Sequence, residues 1–178
     1  MDESRESETQ LFDFLDKIEI STKTYRHKPV FTVEEAQAAR TEADGMPGGH
    51  CKSLFVRDKK KRRALVMVDE NRRVDLNMLS SKLGMGRLSF GSANSLKEML
   101  GVIPGSVTPF ALVNLQVANG EEPPLTVALD KSMMTEELLN YHPLHNAATT
   151  AISPKDLLVF IRACGYEPII VDLDSLAE

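Results

Sequence analysis

The sequence predicts one α+β domain, and three observations point to it. Its 178 residues match the size of a single domain, taking roughly 150 residues as typical. Hydrophobic residues make up 42% and charged residues 26%, which is enough apolar material for a core and too much for wholesale disorder. Helical and strand-like runs follow one another with no internal repeat and no low-complexity linker to divide them.

The elements are justified in chain order. Residues 1–6 read as a disordered acidic tail, leaving 7–178 as the domain. Ser7 stands three residues before Gln10, a capping-box spacing, and opens an amphipathic helix whose face carries Leu11, Phe12, Phe14, Leu15 and Ile18. Thr22 to His27 alternates as a strand. Thr32 and Glu35 repeat the capping-box pattern before a helix-forming run that ends at Arg40. A turn-rich loop, Gly45 to Gly49, leads into a strand at His50 to Arg57. The charged turn Asp58 to Arg63 and the apolar strand Ala64 to Val68 then complete a β-hairpin. Leu76 to Leu83 and Ser92 to Leu100 are short helices stopped by Gly84 and Gly101. Val102 to Phe110 is a loop with two prolines and a glycine, and Thr126 to Leu129 is a strand. His142 to Ile152 begins polar and ends β-prone. Ser153, Pro154 and Asp156 supply a cap, a first-position proline and a first-turn acid for a helix ending by Gly165, and Pro168 to Leu173 closes the chain as a strand.

Composition excludes several functions. No run approaches the ~18 consecutive apolar residues of a membrane span, and the acidic N-terminus is unlike a secretory or transit peptide. A cytoplasmic protein is therefore expected. Cys51 and Cys164 are too few for a disulfide framework and suit a reducing compartment. With a net charge of −5, a sequence pI near 5.5, no Trp and 6% aromatic residues, neither a broad basic face nor large stacking platforms for nucleic acid are expected.

Four constellations could carry chemistry. Cys51 beside His50, with His142 and His145 elsewhere, could make a thiol–imidazole pair, but Cys51 begins an apolar strand, where a small buried thiol is the simpler account. A metal site from the same residues lacks both the zincin spacing and a Cys-x-x-Cys pair. Lys52 shares a strand face with Leu54 and Val56 just after a glycine-rich loop, and its spacing leaves open a cation anchoring a phosphate or carboxylate and a snorkelling side chain. Gly105 between Pro104 and Pro109 could present amides to a carbonyl or oxyanion, or form an ordinary turn. The basic run Lys59 to Arg63, with Arg72 and Arg73 beyond it, is either a solvated hairpin tip or a grip on phosphates.

Four segments together resemble the YbaK/prolyl-tRNA synthetase-associated editing-domain family, and within it the free-standing ProX-type alanyl-tRNA(Pro) deacylases. They are Tyr25 to Ala36, Cys51 to Lys60, Gly101 to Phe110 and His142 to Thr150, in the family's order over most of the chain. The resemblance implies a mixed-sheet, barrel-like fold with flanking helices. It implies hydrolysis of the ester between a wrong amino acid and tRNA, with no cofactor and no metal. Lys52 matches the family's functional lysine, Gly105 and Pro109 its G-x-x-x-P loop, and His142 its pocket histidine. Ser53, Ser106, Thr108, Pro109 and Asn146 are implied to bind substrate. Ser53 departs from the asparagine relatives often carry there, which shortens the reach of that group. The partners implied are the acceptor end of mischarged tRNA(Pro) and prolyl-tRNA synthetase, with no DNA and no membrane.

The chemistry is consistent with that resemblance. An aminoacyl ester is already activated, so positioning, a water and oxyanion donors suffice without a protein nucleophile. A synthetase rejects a missing methylene by only ~1–3 kcal/mol, so a second pocket that admits alanine and excludes proline is needed. The alternatives are a deacylase for another small amino acid such as cysteine, an inactive tRNA- or synthetase-binding module, and a hydrolase using Cys51.

Overall fold

The run Ala-Leu-Val-Met-Val is apolar at every position because the strand it forms is covered on both faces. Leu65 and Met67 enter the main core, while Ala64, Val66 and Val68 enter a second cluster with Leu79, Leu88, Ala128 and Val171. The structure is a computed structural model that describes residues 3–42 and 46–174. In chain order it contains α1 (Glu3–Lys17), β1 (Lys23–Arg26), α2 (Val33–Glu42), β2 (Gly49–Arg57), β3 (Arg63–Asp69), α3 (Leu76–Leu83), β4 (Ser89–Phe90) and α4 (Ala93–Leu100). There follow β5 (Thr126–Asp130), β6 (Leu139–Tyr141), β7 (Ala148–Ile152), α5 (Pro154–Ala163) and β8 (Ile169–Val171), with short 3-10 turns at Pro109–Asn114 and Lys131–Thr135.

The strands form one mixed sheet in the order β1-β7-β6-β2-β3-β5-β8, with β4 also paired to β2. The β2–β3 hairpin is antiparallel from Cys51↔Asp69 to Arg57↔Arg63. On its other edge β2 pairs with β6 only at Gly49 and His50, and with β4 only at Val56 and Arg57. Between those two contacts the edge from Cys51 to Phe55 has no strand beside it among the described residues, and the cleft described below opens there.

Helix ends follow the caps the sequence carries. Asp75, Ser92 and Ser153 each accept a hydrogen bond from an amide of the first turn, and Gly84 and Gly101 close α3 and α4. Thr32 accepts from the Glu35 amide at 3.1 Å, and the Glu35 carboxylate accepts from the Phe31 amide at 2.7 Å. α1 starts at Glu3, upstream of the Ser7 cap, so it runs into the expected tail. A capping-box spacing permits a start, and with no Gly or Pro before it nothing stops the helix extending further. Met1 and Asp2 lie outside the described residues, as does Gly45 of the glycine loop.

The main core holds α1 and α5 against the sheet through Leu11, Leu15, Leu157, Phe160 and Ile161. Its centre is an aromatic chain: Phe160 meets Phe14 and Phe110 edge-on at 5.7 and 5.5 Å, and Phe110 meets Tyr141 at 6.2 Å. Among the described residues no helix is long and apolar enough to cross a membrane.

Candidate active site

Three separate pieces of chain meet at the unpaired edge of β2. Lys52 and Ser53 come from β2 itself, Gly105 from the loop after α4, and His142 from the end of β6. All four line one cavity of about 180 Å³, together with Phe31, Val107, Glu70 and Tyr141. A smaller chamber of about 50 Å³ lies beside it and shares Ala36, Cys51, Glu70, Tyr141 and His142 in its walls. Its remaining lining includes His27, Arg40, Met46, His50, Asn140 and Thr149.

Lys52 occupies the open end of the strand face whose other members, Leu54 and Val56, pack into the second core cluster. It is half-buried and makes no ion pair or hydrogen bond among the described residues. A lysine left unpaired in a cleft wall is a cation available to an anion or a carbonyl oxygen.

The glycine loop before β2 is not an anion cradle. A Cβ at Gly48 would stand 2.6 Å from the Leu138 carbonyl oxygen, and one at Gly49 would stand 2.9 Å from the Glu136 side chain. Asn140 fastens the same loop by donating to the Pro47 and Gly49 carbonyls at 3.2 and 3.1 Å. These glycines let the loop lie flat on the segment before β6. Gly105 has the other role: its φ is +91°, and a Cβ there would meet only Phe31, at 3.9 Å. Phe31 is 66% exposed and forms the outer lip opposite this loop.

Ser106, Thr108 and Pro109 support the loop and do not line the cavity. The Ser106 amide donates to Ile103 at 3.0 Å, the Thr108 hydroxyl accepts from the Phe110 amide at 3.3 Å, and Pro109 starts a turn whose Phe110 is fully buried. Asn146 also stands apart from the lining. It exchanges hydrogen bonds with Val30 in both directions, tying the chain after β6 to the segment that carries Phe31. Ser53 does line the cavity, and its hydroxyl is buried without a partner among the described residues.

His142 Nδ1 lies 2.8 Å from the Ala148 carbonyl. A carbonyl only accepts, so Nδ1 carries the proton, and Nε2 of the neutral ring keeps its lone pair. Burial pushes this imidazole below its ordinary value, and the neighbouring His27 and His145 push the same way. The ring is thus a neutral hydrogen-bond acceptor at physiological pH. His50 donates through Nε2 to the Met46 carbonyl at 2.7 Å, and His145 reaches Glu8 at 2.9 Å, in a network that Arg26 completes with two bonds to the same carboxylate. The imidazoles are therefore held by different partners, and no group of three metal-ligating side chains converges among the described residues.

Cys51 is half-buried, and burial pushes its thiol up to about 12, so it is not an activated nucleophile. In the basic hairpin turn, Arg62 is tied to Asp58 at 2.7 Å, leaving Lys59, Lys60 and Lys61 as its exposed lysines. Sequence reasoning missed Arg40 and Glu70, paired at 2.6 Å in the cavity wall, as well as Phe31 and Tyr141. The only signal for Glu70 was a carboxylate just past the end of a buried strand, which is commonplace.

The mixed sheet with its flanking helices and the cleft beside the Gly105 loop define the class, a single-domain α/β protein with the YbaK-like editing architecture. The chain belongs to the aminoacyl-tRNA editing domain family, whose model matches residues 27–160. It is 34% identical over 174 residues to the mouse (Mus musculus) prolyl-tRNA synthetase associated domain-containing protein 1, covering 95% of this chain and 98% of that one. It is also 34% identical over 153 residues to the prolyl-tRNA editing protein ProX of Acetoanaerobium sticklandii, covering 85% and 88% of the two chains. Among solved structures, one described as a candidate trans-editing enzyme for prolyl tRNA synthetase superposes with a TM-score of 0.66 at 22% identity, over 95% of this chain and 97% of the other.

Proposed function

We propose that this protein hydrolyses the ester of mischarged Ala-tRNA(Pro), acting in trans on the product of prolyl-tRNA synthetase. The observation that carries the reading is the meeting of Lys52, the Gly105 loop and His142, from three elements, around a cavity that shares its wall with a smaller chamber. That chamber, about 50 Å³, is the smaller of the two, against about 180 Å³ for the cavity beside it. In this reading the smaller chamber takes the side chain of the amino acid and selects it by size, which is the sieve that editing needs. One relative named for prolyl-tRNA editing and another named for association with prolyl-tRNA synthetase support the same tRNA and the synthetase as partners.

In the reaction a water oxygen attacks the ester carbonyl carbon, and the bond from that carbon to the ribose oxygen breaks. One proton of the water passes to the departing ribose oxygen and another to solvent, giving free amino acid and uncharged tRNA. Lys52 polarises the carbonyl or holds the adjacent phosphate, amides of the Gly105 loop face the developing oxyanion, and His142 Nε2 accepts a hydrogen bond from the water or a ribose hydroxyl. Ser53 adds a hydroxyl to the same wall. Ser106, Thr108, Pro109 and Asn146 act by holding the loop and the lip in place.

Deacylation of Ala-, Pro- and Cys-tRNA(Pro), by wild type and Lys52→Ala, tests the reading. Loss of alanine only, abolished by the substitution, is the expected result. Removal of cysteine in preference moves the specificity to that amino acid, and hydrolysis of no ester with tRNA binding intact refutes the deacylase reading in favour of a binding module.

A further inference from the structure

Glu70 is the one carboxylate in the walls of the two chambers among the described residues, and it belongs to both. It stands immediately after β3, where its amide donates to the His50 carbonyl at 2.9 Å. Its side chain is 11% exposed, and Arg40, itself 13% exposed, reaches its Oε1 at 2.6 Å. Oε2 has no partner among the described residues. A largely buried carboxylate in the wall of a cleft, held through one oxygen and unbonded at the other among the described residues, can receive a cation.

An aminoacyl ester has no carboxylate and carries one cation close to the reacting carbon, its α-ammonium. We infer that Glu70 is the recognition residue for that α-ammonium, with Arg40 as the positioning residue that aims it; the inference rests on the deacylase reading above. Glu70 stands where the chambers adjoin, so the three substituents of the α-carbon sort themselves. The ammonium faces Oε2, the side chain enters the small chamber, and the ester carbonyl turns toward Lys52 and Gly105 in the larger one. The carboxylate therefore sets which way the substrate lies, and the side-chain sieve works only on a substrate so oriented.

The test compares Ala-tRNA(Pro) with lactyl-tRNA(Pro), in which a hydroxyl replaces the ammonium, each rate being divided by the spontaneous hydrolysis of the same ester. The wild type is expected to prefer the alanyl ester by about tenfold or more, as a charge-assisted hydrogen bond implies. Glu70→Gln should bring that ratio close to one, and Glu70→Asp, which keeps the charge, should restore part of it. Because both esters are measured on one preparation, the folded fraction of a variant cancels from the ratio. Equal enhancement of the two esters by the wild type, or an unchanged ratio in Glu70→Gln, overturns the role of Glu70 while leaving the deacylase reading standing. Hydrolysis of neither ester by the wild type removes both.

Discussion

Replacing Gly105 by alanine separates backbone strain from steric clash at the cleft. The φ of Gly105 is +91°, a region an L-residue occupies at a cost of about 1–3 kcal/mol. Alanine also narrows the unfolded ensemble, which returns about 0.4–1 kcal/mol. The net destabilisation is therefore about 1 kcal/mol, or about 2–4 °C in Tm for a chain of this length. The new methyl group would sit 3.9 Å from Phe31, an ordinary contact, so clash contributes nothing. Thermal unfolding followed by circular dichroism reads the stability, and deacylation of Ala-tRNA(Pro) reads the loop. Activity should fall further than stability, because the loop relieves its strain by turning its amides away from the carbonyl. Two results would refute this reasoning. One is a variant with wild-type Tm and activity; the other is rescue of the variant by Phe31→Ala, which would make the defect steric.

Other outcomes follow from the same geometry. His142 has a folded-state pKa below its ordinary 6.5, so between those two values the unfolded chain takes a proton that the folded chain refuses. The stability that neutral His142 contributes is present above pH 6.5 and is lost as pH falls from there toward the folded pKa. Urea unfolding of wild type and His142→Gln should accordingly converge as the solution is acidified, and a gap that widened instead would contradict the assignment. The Cys51 thiol, pushed up to about 12, should resist iodoacetamide at neutral pH, and Cys51→Ala should still deacylate Ala-tRNA(Pro). An inactive Cys51→Ala would revive a thiol nucleophile, whereas loss of activity on alkylation alone would not, because Cys51 lines both chambers and an alkyl group there blocks them.

Local features were legible because the residues that cause them are neighbours in the chain. The Asp58 turn illustrates this: its carboxylate accepts from the Lys60 and Arg62 amides, closing the hairpin that alternation alone marks out. Ser92 with Gly101 bounds α4, and Ser153 with Pro154 starts α5, where the sequence places them. By contrast, β6 is three residues long and pairs Gly49 with Leu139 and His50 with Asn140, partners ninety residues apart with no pattern of their own. β4, two residues at the far end of β2, is invisible for the same reason.

The candidate site divides along the same line. Lys52, Gly105 and His142 match the family's pattern and meet at one cavity with Ser53, which departs from it. Ser106, Thr108, Pro109 and Asn146 were expected to bind substrate beside them, yet their hydrogen bonds and burial turn them toward the loop and the lip. A motif records which residues go together without recording which of them face a ligand.

Composition, caps and alternation by themselves determined that the chain is one α+β domain and where most of its helices and strands begin. Those properties depend on interactions within a few residues or on the bulk balance of apolar and charged groups. Only the tertiary structure decided that the edge of β2 is left open between β6 and β4, that Arg40 from α2 meets Glu70 after β3, and that a chamber of about 50 Å³ adjoins the cleft. Each of these is a relation between distant segments, set by how two faces of a sheet pack, and no local propensity encodes such a distance.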